Sequence, residues 1–422
     1  MSSLDITHHE RERDPANRAW DDHNPPSLDL IRDCVHCGFC LPTCPSYKVF
    51  EDEMDSPRGR ILLMRVGHEE GAEISPEMVT HFDRCLGCMA CVPACPSGVR
   101  YDLLIERTRA ERRERAPRGA RARLLDAAIF ATVPRPRLLR ALSWPLALGI
   151  RPFALAPRVS RADLRARPER TTPAAGDRRM TAALLEGCVQ RALFGRVNLA
   201  AAQVLAADGC EVVIPAGAGC CGALALHAGR EREARRRAAA TVAAFAGHDR
   251  IVVTAAGCGS AMKGYGELLG TDEARRFAAA VRDVTEVLAE LGPAAERAPL
   301  PPTRVVYQDA CHLNHAQGVA AQPRALLRAI PGLELVEIED AGTCCGSAGI
   351  YNLVQPRTAR ELGERKARAI LAAEPDVVAT ANPGCAVQLQ AALRRLGRGD
   401  LRIVHPAELV AESVTATPAP AA

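Results

Sequence analysis

The chain has 422 residues, 48% of them hydrophobic and only 4% aromatic, with 17 Cys, 30 Pro and 32 Gly. That length provides for two to four domains with sizeable cores and excludes a small disulfide-stapled scaffold. Lys+Arg 54 against Asp+Glu 50 leaves a net charge of +4, which makes no case for nucleic acid, and with only three Lys the positive charge is almost all Arg.

The opening stretch, MSSLDITHHERERDPANRAW, is charged and lacks an apolar core, so it does not read as a secretory signal. The longest uncharged apolar stretch, ALSWPLALGI (141–150), contains a Pro and is half the length of a membrane span. A cytoplasmic protein is expected, in peripheral contact with a membrane at most. Seventeen cysteines in a reducing compartment point to metal ligation before disulfides.

Eight cysteines form two copies of one pattern, Cys34-x2-Cys37-x2-Cys40-x3-Cys44-Pro45 and Cys85-x2-Cys88-x2-Cys91-x3-Cys95-Pro96. This is the run of bacterial two-cluster ferredoxins. A [4Fe–4S] cube needs a thiolate on each iron. Three cysteines at x2 spacing wrap one turn around three corners, and the fourth corner is reached by the distal Cys of the other motif. One cluster is therefore assigned to Cys34, Cys37, Cys40 and Cys95, the other to Cys85, Cys88, Cys91 and Cys44. The competing reading is a pair of zinc sites, which more often come as two separated CxxC pairs. Short amphipathic helices are expected over 61–66 and 77–81, with Pro57 and Pro76 near their starts. A helical ferredoxin-type domain over residues 25–105 follows.

From 107 to 170 the chain carries 17 Arg against 5 acidic residues, several Pro and the apolar patch around Trp144. Residues 106–178 read as an Arg/Pro-rich linker. The functional alternative is a docking surface for anionic lipid or an acidic partner.

The C-terminal half is an internal repeat, with domains expected over 179–295 and 302–415. The first copy carries Cys188, then Cys220 and Cys221 in a Cys-Cys-Gly run, then Cys258. The second carries Cys311, Cys344, Cys345 and Cys385. Intervening lengths are 31 and 36 residues in the first copy, 32 and 39 in the second. Strands are expected over 182–185, 212–215, 251–254, 304–308, 333–338 and 377–380, each ahead of a cysteine, with helices such as 230–245 and 358–373 between them. VRDVTEVL (281–288) and LRIVHPAELV (401–410) supply a matching strand and helix start after each last Cys. Such alternation implies a mostly parallel sheet with its ligand crevice beyond the carboxyl ends of the strands, where each set of four cysteines would converge. A further iron–sulfur cluster, zinc, a redox-active Cys-Cys pair and no metal at all stay open as readings. The leftover Cys210 opens a strand and reads as a small buried hydrophobe.

Taken together, the segments CVHCGFCLPTCPSY (34–47), DSPRGRI (55–61), RCLGCMACVPACPSGVRY (84–101), LLEGCVQ (184–190), AGCCGA (218–223), AAGCGSAMKGYG (255–266), CCGSAGIY (344–351) and TANPGC (380–385) resemble the iron–sulfur subunits of bacterial glycolate oxidase (glycolate dehydrogenase). The wider family includes heterodisulfide reductase subunits, anaerobic glycerol-3-phosphate dehydrogenase subunits and lactate-utilisation proteins. The resemblance implies two [4Fe–4S] clusters on the eight ferredoxin-type cysteines. It also implies flavin-carrying partner subunits that oxidise glycolate to glyoxylate, and a quinone or similar electron acceptor. Heterodisulfide reductases carry a CxxC in the third segment of each repeat; here Ala261 and Gln388 stand at the second position, so noncubane clusters are not inferred.

No nucleotide cradle follows a strand, so neither flavin nor NAD is expected on this chain, which reads as a wire and not as the site of substrate oxidation. Lactate, glycerol 3-phosphate or a heterodisulfide-type substrate are the alternatives within this class; a redox sensor or structural metal module is the alternative outside it. His312, His315 and His405 near the second repeat's loops are ligands or proton relays on one reading, surface or capping groups on the other. Arg58 and Arg60, between the cluster motifs, either tune potentials by charge or make ordinary ion pairs.

Overall fold

The computed structural model describes residues 19–21, 24–69, 73–116, 119–150 and 155–415. The first 18 residues of the N-terminal stretch read above lie outside them, as do 117–118 and 151–154 of the expected linker.

The N-terminal part is helical. Helices α1 (Leu28–Arg32), α2 (Pro45–Phe50), α3 (Pro57–Glu69) and α4 (Pro76–Arg84) flank the two cysteine loops, and α5 (Tyr101–Arg115) closes the unit. Pro stands at or next to N1 in α2 and α4, where its missing N–H costs nothing and its fixed φ already suits a helix. Ser75 caps α4 by accepting from the Met78 N–H at 3.1 Å. Met64, Phe82, Leu104 and Ile105 form the small core under the loops.

The repeats are two α/β units. Strands are β1 (Thr171–Thr172), β2 (Met180–Leu185), β3 (Cys210–Val213), β4 (Ile251–Val253), β5 (Val281–Asp283), β6 (Thr303–Gln308), β7 (Leu333–Val336), β8 (Val377–Thr380) and β9 (Arg402–Val404). The sheet orders are β1-β3-β2-β4-β5 and β7-β6-β8-β9. Apart from β1, which runs antiparallel to β3, all pairs are parallel. Setting β1 aside, the second order repeats the first strand for strand. Leu184, Val252, Val305 and Ala379, drawn from both sheets, share one core. Val284 and Leu288 of helix Val284–Leu291 and Leu409 of helix Pro406–Thr415 belong to the same core. The six expected strands lie within a few residues of their observed places. The one expected over 212–215 starts earlier, at Cys210, because Gly209 at φ 88 turns the chain straight into it.

The region between departs from the expected division at 105/106, which falls inside α5. Helices α6 (Ala120–Thr132), α7 (Pro136–Leu142), α8 (Trp144–Ala147) and α9 (Arg161–Arg165) occupy much of the expected linker, and β1 joins the first sheet. Ile129 and Phe130 pack on Ala225, Ala234 and Ile350; Val159 and Leu164 pack on Ala192 and Leu193. Asp126 is bridged by Arg113 at 2.6 Å and Arg230 at 2.8 Å. The segment reads as solvated until Asp126 is known to be buried between those two arginines.

The fourth strand of each repeat feeds a capped helix. Asp283 accepts from the Thr285 N–H at 2.9 Å, and its own N–H donates to Glu286 at 2.7 Å. His405 holds the same place in the second repeat: its Nδ1 accepts from the Ala407 N–H at 3.1 Å, and its N–H donates to Glu408 at 2.8 Å. His405 is thus a helix cap, 3% exposed, and not part of a metal site. Burial pushes its pKa from 6.5 down to about 3. Between those values the unfolded chain takes up a proton that the fold refuses. Its stabilising contribution is therefore complete above the unfolded value and declines as pH falls. Wild type should lose roughly 1–1.5 kcal/mol more than His405→Asn between about pH 7.5 and about pH 5.5, read from urea midpoints.

Candidate metal centres

The two ferredoxin-type loops share a backbone path. Two and four residues after the first Cys, each loop turns left-handed: His36 (φ 54) and Gly38 (φ 89) in one, Gly87 (φ 67) and Met89 (φ 62) in the other. Each loop thus spends one glycine and tolerates one strained residue, at opposite positions. An arginine presses on each glycine. A Cβ on Gly38 would meet Arg58 Nη1 at 2.8 Å, and one on Gly87 would meet Arg109 Nη1 at 2.8 Å. These guanidinium groups donate to loop carbonyls, Arg58 to His36 O at 2.9 Å and Arg109 to Cys85 O at 2.7 Å.

This path gathers the sulfurs across the motifs. One cavity is lined by Cys34, Cys37, Cys40 and Cys95, the other by Cys44, Cys85 and Cys88, with Cys91 bordering both. None of the eight is in a disulfide. Four thiols with little competing chemistry around each cavity are a donor set that fits a [4Fe–4S] cluster. The two surroundings differ. Cys37 is exposed and Cys34, Cys40 and Cys95 are half-buried, whereas Cys44, Cys85, Cys88 and Cys91 are all buried. The inner group also has donors aimed at sulfur, Gly87 N–H at 3.4 Å and Tyr101 Oη at 3.5 Å from Cys85 Sγ, while Ser46 Oγ, which donates to Asp55 O at 2.9 Å, lies 3.2 Å from Cys44 Sγ. Burial raises the Cys85 thiol, but Arg60 and Arg109 outweigh it and hold the group below its ordinary value.

Arg60 is the cation at the centre of this arrangement. Fully buried, it donates to His81 O at 2.7 Å, Ser46 Oγ at 3.1 Å, Asp55 O at 2.6 Å and Asp55 Oδ1 at 3.2 Å. The Asp55 carboxylate, with no exposure, also takes Arg84 at 2.7 Å and His81 Nδ1 at 3.0 Å. Arg58 pairs instead with Glu53 near the outer group. The string PRGRI thus holds two arginines in different settings, and only tertiary burial separates them.

In the repeats, each set of four cysteines converges beyond the carboxyl ends of its strands. Cys221 Sγ lies 3.1 Å from Cys258 Sγ, and the thiols of Cys188 and Cys221 face Cys220 and hold its pKa down. In the second set Cys311 Sγ lies 3.9 Å from Cys344 Sγ. Cys344 and Cys385 face Cys345 and lower it, with the Ser347 N–H and Lys366 adding to the effect. Lys366 is 4% exposed and carries no sequence signal of its own; its Nζ is held by Ala341 O at 3.0 Å and by Asp340 O at 2.5 Å. Asn382 Nδ2 donates to Cys385 Sγ at 3.4 Å, and its Oδ1 accepts from the Gly257 N–H of the first repeat at 3.3 Å. That side chain joins the two sites.

Ala261 and Gln388 are structural here. Ala261 packs in the first repeat's core, and Gln388 donates to Ala359 O at 2.6 Å. Cys210 stands apart from every other cysteine, fully buried in the core shared by the sheets. His315 Nε2 donates to Gly342 O at 2.7 Å and so braces the loop before Cys344. His312 lies 3.5 Å from Cys311 Sγ and edge-on to His227, with ring centroids 5.0 Å apart. His227 in turn faces Glu106 at 4.0 Å, and burial pushes that carboxyl up to about 7. Neither His227 nor Glu106 carried a sequence signal. Both line an open cavity of about 680 Å³ between α5 and the repeats.

The inner ferredoxin-type group abuts the second repeat: Leu86, Cys88 and Ala90 share a cluster with Cys311, Cys344 and Tyr351. Tyr351 Oη donates to Arg84 O at 3.1 Å across that junction. Outer group, inner group and second-repeat site therefore stand in sequence, with the first-repeat site beyond.

Residues 31–99 match the 4Fe-4S dicluster domain family, and residues 182–263 and 305–390 each match the cysteine-rich domain family. The chain is 36% identical over 389 residues to the glycolate oxidase iron–sulfur subunit of Escherichia coli (strain K12), covering 90% of this chain and 94% of that protein. It is 35% identical to the probable glycolate oxidase iron–sulfur subunit of Bacillus subtilis (strain 168), covering 91% and 94%. Lactate utilization protein A of Geobacillus kaustophilus (strain HTA426) is 28% identical over 236 residues, 55% of this chain and 98% of that protein.

Proposed function

The chain belongs to the family of glycolate oxidase iron–sulfur subunits, and from that premise we propose that it carries electrons within a glycolate dehydrogenase complex. Partner subunits bearing flavin oxidise glycolate to glyoxylate, and a quinone or similar acceptor receives the electrons on the cytoplasmic side of a membrane. On this reading Cys34, Cys37, Cys40 and Cys95 hold one [4Fe–4S] cluster, and Cys85, Cys88, Cys91 and Cys44 the other. Such clusters supply one-electron transfer.

The observation that carries the reading is the gradient across the two cysteine groups. The outer group is open at Cys37, flanked by the exposed apolar side chains of Val35 and Phe39. The inner one is buried, has the Gly87 N–H and Tyr101 hydroxyl directed at Cys85 sulfur and a fully buried arginine beside it, and abuts Cys311. An exposed apolar rim suits docking of the flavin partner. Buried hydrogen bonds and positive charge favour the reduced state of the inner group relative to the outer. The order of surroundings thus gives a direction, from the partner side inward.

Iron, acid-labile sulfide and zinc per chain on anaerobically purified protein test the reading. About eight iron and eight sulfide, with two interacting EPR signals after reduction, are expected. Glycolate should elicit those signals only when the flavin partner is present. Zinc with little iron would overturn the proposal. Iron clearly above eight would place additional clusters on the repeat cysteines, Cys188, Cys220, Cys221 and Cys258 or Cys311, Cys344, Cys345 and Cys385, and lengthen the same path.

A further inference from the structure

Eleven large hydrophobic side chains are exposed among the described residues, and seven of them fall between 124 and 150: Leu124, Leu125, Leu138, Leu142, Trp144, Leu148 and Ile150, at 37–73% exposure. Such clustering is not the scattered apolar exposure of an ordinary surface. It follows from how α6–α8 lie on the body. In α6, Ile129 and Phe130 turn toward Ala225 and Ala234 of the first repeat and Ile350 of the second, while Arg121, Leu124, Leu125 and Ala128 fall at i, i+3, i+4 and i+7 on the other side. In α7, Leu138 and Leu142 repeat the pattern one turn apart.

The charges on this face are of one sign. Between 119 and 150 there are five Arg and a single acid, Asp126, which is buried and bridged by Arg113 and Arg230 from behind. Arg121, Arg123, Arg137 and Arg140 make no ion pair with a described residue. Arginines elsewhere are mostly paired, as Arg237 is with Glu233 and Arg324 with Asp309. The only neutral hydroxyls of the stretch are turned to their own helices, Thr132 to Ala128 O at 2.9 Å and Ser143 to Leu139 O at 2.7 Å. A protein partner would be read by directional hydrogen bonds, about one per 100–200 Å². This face presents aliphatic carbon, one indole and guanidinium groups, which need only depth and negative charge.

We propose that α6–α8 form a membrane-docking surface, in which Leu124, Leu138, Leu142, Trp144 and Leu148 enter the headgroup region of an anionic bilayer while Arg121, Arg123 and Arg137 contact lipid phosphates. The surface stands independently of the cluster assignment, since vesicle binding requires no electron transfer. It would bring the two repeats, on both of which α6 packs, to the bilayer.

Flotation of the full chain on phosphatidylglycerol-containing vesicles tests the surface, with pure phosphatidylcholine vesicles as control. The protein should float with the anionic vesicles and at least tenfold less with the neutral ones, and raised salt should release it. Trp144 gives a second readout. The chain has two Trp, and Trp20 is 5% exposed with its Nε1 bonded to Met64 O at 3.1 Å. A blue shift of emission on vesicle addition therefore reports Trp144. The variant L124S/L142S/L148S should lose flotation and the shift at any salt, with its circular dichroism unchanged. R121Q/R123Q/R137Q should keep weak binding and lose the preference for anionic lipid. No flotation by wild type, or wild-type flotation by L124S/L142S/L148S, would overturn the proposal. Binding to the flavin partner that these substitutions abolish, without any flotation, would assign the face to protein contact and overturn it equally.

Discussion

Cys95→Ser should reduce iron from about eight to about four per chain and abolish the EPR signal of the outer group, the one held by Cys34, Cys37 and Cys40. Cys95 follows Cys91 closely in sequence, yet it lines the cavity of the other loop. Serine offers no soft thiolate, and a cluster with three protein ligands facing solvent at the exposed Cys37 has little protection from loss. The inner four cysteines remain intact and buried, so the surviving signal should keep its shape and potential. Loss of the 85–91 signal instead would show that each motif serves its own cluster. Cys210→Ala is the control: that thiol lies in the sheet core away from every other sulfur, and iron content should not change.

Arg60→Met should cost about 3–5 kcal/mol of stability, the range for removing one partner of a buried ion pair. Methionine fills much of the volume, so the loss is electrostatic before it is steric. Asp55 would keep Arg84 and His81, but Asp55 O, the Ser46 hydroxyl and His81 O would each lose a buried donor. The same change removes positive charge beside Cys44 and Cys85. Protein that folds should therefore hold the inner cluster at a more negative potential, with the outer one unmoved. Arg60→Lys keeps the charge but cannot satisfy the forked set of acceptors, so it should recover most of the potential and little of the stability. Urea midpoints and a potentiometric EPR titration separate the two effects. Wild-type stability and potential in Arg60→Met would remove Arg60 from any role at the centre.

Where the sequence was legible, the signal was covalent or strictly local. Pro57 and Pro76 mark the starts of α3 and α4 because a fixed φ acts within one residue. The apolar runs ahead of Cys188, Cys258 and Cys385 became β2, β4 and β8, interior strands of their sheets, because buried parallel strands require nearly unbroken apolar sequence. The spacing of the repeat cysteines after those strands was enough to bring each set to one sheet edge.

What escaped the sequence depended on partners far along the chain. Arg113 and Arg230 neutralise Asp126 from either side in sequence, so 106–178 reads as a solvated linker although α5 runs through its boundary. His405 looks like a loop histidine until its identity of place with Asp283 shows it to be a cap. Arg58 and Arg60 are two residues apart and one of them is fully buried. Glu106 and His227 gain their chemistry from burial against each other and against His312, on segments far apart along the chain.

Read along the chain, the amino-acid order was enough for the two cysteine loops, the duplicated α/β unit and the family, because ligand spacing, glycine positions and apolar periodicity are local properties. Packing in three dimensions was needed to settle which cysteine group is buried, which arginine stands beside it, and which face of α6–α8 is left apolar and positive. Burial and charge pairing are sums over neighbours in space, and no window of sequence contains them.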